Sequence, residues 1–198
     1  MSMTRCMMVV AMGLAAAAAG AAELGRNTAP VTVSDTRSAS GMDLGPATGL
    51  QLALIAPVQI FPDSYAVSGL RLNLIYGRNR ALRGLDLGFF NEVAEGVEGL
   101  QLGLGNLAGN LSGLQIGFYN DAATSESGCC QIGAINCLRS DDAQGAMFGL
   151  FNMAQGMRGF QFGLINLAAT LDGCQLGVIN IISQSEALIS CPIFNAQF

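Results

Sequence analysis

The side chains best suited to chemistry are the acidic residues in the middle of this 198-residue chain. Loop carboxylates can supply the oxygen ligands that Ca²⁺ prefers, and four fall close together: Asp121, Glu126, Asp141 and Asp142. Their spacing matches no defined calcium loop, which favours solvated acidic loops. The chain has no histidine, which excludes imidazole general bases, catalytic triads with histidine and imidazole metal sites. The sequence therefore predicts no catalytic residue, no metal site, no cofactor and no enzymatic activity.

The thiols form a second candidate group. Cys129 and Cys130 are adjacent and Cys137 follows them, an arrangement that redox chemistry or a disulfide can use. Cys174 and Cys191 stand where the repeat described next has leucine-type residues, which is typical of cysteine acting as a small apolar side chain. We expect these five cysteines to be structural or disulfide-bonded.

The elements that must position these groups come from a repeated phrase. Gly-Leu-Gln-Leu-Gly-Leu-Gly-Asn at 99–106 recurs in closely related form at 113–120, 159–166 and 173–180. Weaker copies begin at Gly49, Gly69, Gly84, Cys129, Gly145 and, in degenerate form, Leu188. About ten units, mostly 14–16 residues apart, thus follow residue 48.

The repeat alternates strictly between apolar and small or polar residues. Numbered from its first glycine, apolar residues occupy positions 2, 4 and 6, while Gly, Gln and Gly occupy positions 1, 3 and 5. Strict alternation predicts strands, so we expect an all-β fold. Position 3 gives a candidate polar row for contact with solutes, although simple hydrogen bonding is the more conservative interpretation: Gln51, Gln101, Gln115, Gln131, Gln161 and Gln175. Position 8 gives an asparagine row with a structural role: Asn91, Asn106, Asn120, Asn136, Asn152, Asn166 and Asn180.

The leading interpretation is an antiparallel meander of about ten strands that closes as a β-barrel. The segments 93–97, 107–111 and 153–157 each resemble a three-residue hairpin loop between apolar residues. Strands of about eleven residues can cross a bilayer, and an even strand count suits a closed sheet. This barrel predicts lipid-facing leucines at positions 2, 4 and 6, with outer-membrane lipid or other envelope components as partners.

The alternative is a β-solenoid in which each unit forms one coil. That fold predicts inward leucines at positions 2, 4 and 6, an outer glutamine row and an asparagine ladder at a corner. Two neighbouring long loops, 120–128 and 137–144, count against the barrel, because long and short connections should alternate. The absence of Trp and the presence of only three Tyr count against it too.

The N-terminus predicts export. Residues 1–22 have the layout of a secretory signal peptide, with one positive charge at Arg5 before a short apolar run. We expect a flexible leader over 23–48 and a single β-repeat domain over 49–198. The net charge of −5 argues against a nucleic acid partner, and oligomeric state is left open.

The four regular units and the ending 192–198 resemble exported bacterial surface-repeat proteins built from Gly-Leu-Gln-x-Gly-Leu-x-Asn units, found in spirochaetes and other Gram-negative groups. The resemblance implies an outer-membrane or cell-surface location in a Gram-negative bacterium. The chain departs from the pattern at Arg71, Asp86 and Met147, where Gln is usual, and at Pro192, where the second Gly is usual. The predicted function is a structural protein or a narrow uncharged channel, and the alternative is an interaction or adhesion module of the envelope.

Overall fold

The computed structural model describes residues 44–56, 58–125, 128–184 and 190–197. These residues belong to one compact unit, Met42–Phe198. The strands are β1 (Ala47–Ile55), β2 (Val58–Gln59), β3 (Ala66–Leu102), β4 (Gly105–Thr124), β5 (Cys129–Leu138), β6 (Ala143–Ile182) and β7 (Ser190–Gln197). The predicted signal peptide and most of the predicted leader lie outside the described residues.

The repeats stack in parallel and in register. In the pairing of β4 with β5, Gly113 lies beside Cys129, and in the pairing of β5 with β6, Cys129 lies beside Gly145, a step of 16 residues. The same repeat position therefore meets itself in neighbouring coils, as Gln115 meets Gln131. The chain is an all-β, mostly parallel β-solenoid. The predicted antiparallel barrel is wrong, because one repeat makes a complete coil instead of one strand and one hairpin turn.

The predicted hairpin loops are wrong for the same reason. The segment 107–111 continues within β4, while 93–97 lies within β3 and 153–157 within β6. Because β3 and β6 are 37 and 40 residues long, each runs through more than two successive coils. The Gly and Asn residues at these points therefore lie within strands, and the pairing with β4 shifts its register between Val93 and Gly96.

Antiparallel strands occur at both ends of the described sheet, whose order is β2-β1-β3-β4-β5-β6-β7. The two-residue β2 pairs antiparallel with β1, and β7 pairs antiparallel with the last coil in β6. The predicted last repeat begins at Leu188. Its described part, from Ser190, runs antiparallel and therefore does not form a further parallel coil. Pro192 lies in β7, which fits the rule that proline is confined to the edge of a sheet because it lacks a backbone N–H.

The interior of the solenoid is polar on one half of each coil and apolar on the other. All six glutamines of the predicted polar row are fully buried, and all seven asparagines of the predicted structural row are fully buried. Alanines and larger apolar side chains from the second half of each coil complete the interior, among them Leu82, Val97, Ala108, Leu111, Ala154 and Leu171. The solenoid alternative thus had the right fold but the wrong facing, since the apolar residues of positions 2, 4 and 6 point outward and the glutamine row, predicted outside, lies inside.

The narrowness of the interior explains this facing. The Gln115 side chain, on the first half of its coil, reaches the backbone oxygen of Asp121 on the second half at 3.4 Å. A single amide side chain therefore spans the gap at this point of the coil, and the glutamine row fills it. The first glycine of the repeat lets successive coils approach closely. Gly113 has a φ of 146°, and a Cβ there would lie 2.1 Å from the Gly99 oxygen.

Candidate functional site

A continuous ladder of asparagine amides runs along the interior. Each Nδ2 donates a hydrogen bond of 2.8–2.9 Å to the Oδ1 of the next asparagine, from Asn91 through to Asn180. The same Nδ2 also donates to a backbone oxygen of the next coil, as Asn106 does to Ile116 at 3.0 Å. Both amide hydrogens are therefore used, and the ladder ties each coil to the next. The predicted structural asparagines are brought together in one row.

The ladder also explains the second glycine of the repeat. A Cβ at Gly117 would lie 2.3 Å from the Gly103 oxygen and 2.7 Å from the Asn106 Nδ2. The asparagine amide thus occupies the space that any side chain at position 5 would need. The coil that begins at Gly69 has Asn73 at position 5, and this residue donates to Asn91 at 2.9 Å. Asn73 therefore starts the ladder from a different position, which the repeat pattern did not predict.

A second ladder is formed by the glutamines. Gln115 donates to the Gln101 Oε1 and Gln131 to the Gln115 Oε1, each at 2.8 Å, and Gln175 donates to the Gln161 Oε1 at 2.7 Å. The first glutamine, Gln51, instead bonds the backbone of Phe61. These side chains make their contacts within the solenoid, and a contact with solutes stays a prediction.

Met147 interrupts the glutamine ladder. It is fully buried in the row between Gln131 and Gln161, and it offers only its thioether, at 3.5 Å from the Gln161 Nε2. Among the described residues, the Gln131 Oε1 has no hydrogen-bond partner. A buried oxygen without a donor lowers stability, so this coil is a weak point of the row.

Met147→Gln is expected to stabilise the fold by about 1–2 kcal/mol. The new amide would donate to Gln131 and accept from Gln161, and glutamine has nearly the volume of methionine. Urea unfolding of the two proteins measures the difference. Met157→Gln is the matched control, because Met157 is buried in the apolar part of the interior and its replacement should destabilise. An unchanged or lower stability of Met147→Gln would contradict the broken ladder.

The glutamine ladder ends on a buried ion pair. Gln101 donates to the Asp86 Oδ2 at 3.0 Å, and the Arg71 Nε donates to the Asp86 Oδ1 at 2.7 Å. A second bond joins the Arg71 Nη2 to the Asp86 Oδ2, so the guanidinium and the carboxylate bind in bidentate fashion. Both side chains are fully buried. Arg71 and Asp86, which both stand where the repeat usually has Gln, thus neutralise each other's buried charge from adjacent coils.

The outward side chains of repeat positions 2, 4, 6 and 7 form a surface that we call the apolar face. None of these positions is charged in any coil from Gly49 to the coil that begins at Gly173. Its large exposed side chains have 36–63% of their surface accessible, and Phe118 and Val178 are the most exposed. Contiguous apolar patches of this extent are rare on monomeric soluble proteins and mark interaction surfaces.

The second half of most coils presents a different exterior, which we call the charged side, although the coil 99–112 has no charged residue. Arg80 pairs with Glu95 at 2.9 Å, and Arg83 pairs with Glu98 at 2.6 Å, in each case across neighbouring coils. Arg158 reaches Asp142 at 2.9 Å. The solenoid is therefore amphipathic, with the hydrogen-bonded interior between an uncharged exterior and a charged one.

The acidic residues considered for calcium do not converge on one site. Asp121 accepts from the Tyr119 hydroxyl at 3.1 Å and pairs with Arg139 at 2.9 Å, while Asp142 pairs with Arg158. Asp141 is exposed, and Glu126 lies outside the described residues. No cluster of three or more potential metal ligands occurs in the part of the chain that the structure describes.

Cys137 is a buried thiol beside this acidic group. Burial, and then the nearby negative charge of Asp121, raises the pKa of Cys137 to about 12. Burial also raises the pKa of Cys129. All five described cysteines are free thiols in the structure. Because the thiolate is the reactive form, Cys137 is poorly suited to nucleophilic or redox chemistry at neutral pH.

Cys137 is therefore expected to resist alkylation in the folded protein. Raising a thiol pKa from 9.0 to about 12 lowers the thiolate fraction at pH 8 by about 1,000-fold. Iodoacetamide labelling followed by peptide mass spectrometry should find Cys137 unmodified in native protein and modified in urea. Labelling of Cys137 at the same rate in both conditions would contradict its burial beside Asp121.

Within the described ranges, no helix is long and apolar enough to cross a membrane. No protein-family model matches the chain, and searches of curated proteins and of solved structures found no similar protein. The arguments that follow therefore rest on the repeat and on the solenoid it forms.

Proposed function

We propose that this chain is a non-enzymatic interaction module of a Gram-negative cell envelope, exported by residues 1–22, that works by docking through its apolar face. The observation that carries the proposal is the apolar face itself. It runs along the whole coil stack with no charged residue, on the outside of a fold whose interior is already filled.

The rigidity of the solenoid supports a docking role. Coil-to-coil hydrogen bonds of 2.8–2.9 Å hold the asparagine ladder, and the backbone pairs in register throughout β4, β5 and the start of β6. The leucines and phenylalanines of the apolar face are therefore held in fixed rows before any partner binds. A pre-organised surface loses little conformational entropy on association. The charged side keeps the opposite exterior compatible with water.

A pair of double variants tests the docking role in cells. Phe118→Glu/Leu150→Glu puts two carboxylates in the apolar face, and Gln155→Glu/Thr170→Glu adds the same charge to exposed positions on the second half of the coils. After gentle extraction of the envelope, wild type and the control should elute as a complex larger than a monomer. The face variant should elute as a monomer. A monomeric wild type, or a complex that the face variant leaves intact, would contradict the proposal.

Export is tested separately by cell fractionation. We expect the full chain in the envelope of a Gram-negative host, with a mature N-terminus at Glu23. Deletion of residues 2–22 should leave the protein in the cytoplasm. Full-length, unprocessed protein in the cytoplasm of cells that express the intact chain would contradict this part of the proposal.

A further inference from the structure

We propose that the occupant of the apolar face is a second copy of this chain, so that two solenoids pack face to face in a two-fold symmetric dimer. This inference deepens the proposed function and rests on it, because it names the partner of the same surface. In such a dimer the two sheets stack as in a β-sandwich, about 10 Å apart.

The size of the apolar face fits a dimer. Adjacent coils are about 4.8 Å apart and residues along a strand are about 3.3 Å apart, which gives a face of roughly 40 by 20 Å. The corresponding area is about 800 Å², which is what each partner contributes to a stable protein interface of standard size. A two-fold axis lets one uncharged surface bury itself against an identical one without like-charge repulsion.

The ends of the solenoid direct association toward this face. A parallel coil stack with open ends could add further copies end to end. Here the described sheet is bounded by the two-residue β2 on one side and by antiparallel β7 on the other. Pro192 in β7 also removes one backbone donor from that edge. In the part of the chain that the structure describes, the apolar face is then a large surface that remains to be covered.

The charge of the chain favours a protein partner over a lipid surface. Proteins that lie on membranes carry lysine or arginine on the polar face and Trp or Tyr near the interface. This chain has a net charge of −5, no Trp and only three Tyr. Anionic headgroups would repel it, whereas an identical uncharged face would not.

Aromatic side chains provide the anchors of such an interface. Phe148, Phe160 and Phe162 form a cluster with ring centroids 6.0–6.5 Å apart on adjacent coils of the apolar face. Phe118, 63% exposed, stands alone near the middle of the stack. Large aromatic residues that become buried at the centre of an interface contribute most of its binding energy.

The first test measures the mass of the purified full chain by sedimentation equilibrium, between about 1 and 100 µM, because interfaces of this size bind with micromolar or tighter affinity. We expect a dimer for wild type and for Gln155→Glu/Thr170→Glu. We expect a monomer for Phe118→Glu/Leu150→Glu, with at least a 100-fold weaker dissociation constant. Circular dichroism and urea unfolding establish that each variant is folded.

A second readout needs no substitution. Cys130 and Cys174 occupy position 2 of the apolar face and are half-buried in the single chain. Face-to-face packing should cover them, so their alkylation by iodoacetamide should slow at least fivefold as the protein concentration rises through the dissociation constant. Equal rates at all concentrations would overturn the dimer even if the charged variants fail to fold.

The outcomes separate the dimer from the docking role. A purified monomer whose envelope complex in cells still depends on the apolar face would overturn the dimer and keep the proposed function. A purified monomer that floats with neutral phosphatidylcholine vesicles and forms no face-dependent complex in cells would overturn both the dimer and docking onto a protein, with lipid as the occupant. A purified monomer that binds no vesicles and forms no face-dependent complex in cells would overturn both.

Discussion

Asp86→Gln is expected to lower the free energy of unfolding by about 3–5 kcal/mol, the usual cost of removing one partner from a buried ion pair. The substitution leaves the Arg71 guanidinium charged and fully buried, with only neutral acceptors: the Asn79 Oδ1 at 3.2 Å, the Glu92 backbone oxygen at 3.0 Å and the amide oxygen of the new glutamine side chain. Urea unfolding followed by circular dichroism measures the loss.

The double variant Arg71→Gln/Asp86→Gln is the control for this prediction. It removes both charges and extends the glutamine ladder by two members, so it should recover at least half of the stability that Asp86→Gln loses. A double variant less stable than Asp86→Gln would show that the charges are not paired in the interior. A single variant as stable as wild type would contradict the burial of Asp86.

Gly113→Ala is expected to destabilise the solenoid by about 3 kcal/mol or more, the combined effect of a positive φ and of steric overlap. Gly113 has a φ of 146°, which L side chains rarely adopt, and its Cβ would meet the Gly99 oxygen at 2.1 Å. The backbone of the preceding coil cannot move aside without breaking the register of β3 and β4. Thermal or urea unfolding measures the effect.

Gly49→Ala is the matched control, at the same repeat position of the first coil. A Cβ at Gly49 meets only the Ser68 oxygen, at 3.9 Å, because no earlier coil lies beneath it in the part of the chain described from residue 44 onward. This variant should differ from wild type by less than about 0.5 kcal/mol, as surface substitutions usually do. Equal losses at Gly49 and Gly113 would mean that coil stacking is not what requires glycine.

The sequence was sufficient to predict the all-β class, the repeat and its period. Strict alternation over positions 1 to 6 indicated strands, and the recurrence of Asn at position 8 predicted an asparagine ladder for the solenoid alternative alone, which the structure contains. Both features can be recognised within one repeat. The strands follow from the periodicity of the backbone, and the ladder follows from one asparagine that hydrogen-bonds to the same asparagine of the next repeat.

The path of the chain was not predictable from the same pattern. A period of 14–16 residues fits one coil of a solenoid and also one strand with a tight turn. Segments such as 107–111 contain residues that favour turns, yet they lie within continuous β-structure. Alternation also does not say which face is inside. The usual expectation of inward leucines failed because the inward amides hydrogen-bond to their own copies in adjacent coils, which removes the cost of burying them.

The ion pair illustrates how a site can be visible in the sequence without being interpretable. Arg71 and Asp86 were evident as departures from glutamine, but only parallel stacking in register brings the two side chains together. The same holds for Met147, whose significance depends on Gln131 and Gln161 being its neighbours in adjacent coils. Contacts between coils require the register, and the sequence alone left the register open.

The most direct test of the polar-cored solenoid is hydrogen exchange of side-chain amides, followed by NMR. The structure predicts that the Nδ2 hydrogens of Asn106, Asn120 and Asn136 exchange at least 100-fold more slowly than those of the exposed Gln155, since buried hydrogen bonds must open first. It also predicts through-space contacts between successive asparagine side chains. Exchange of these asparagines as fast as that of Gln155 would contradict the ladder and, with it, the outward position of the apolar face.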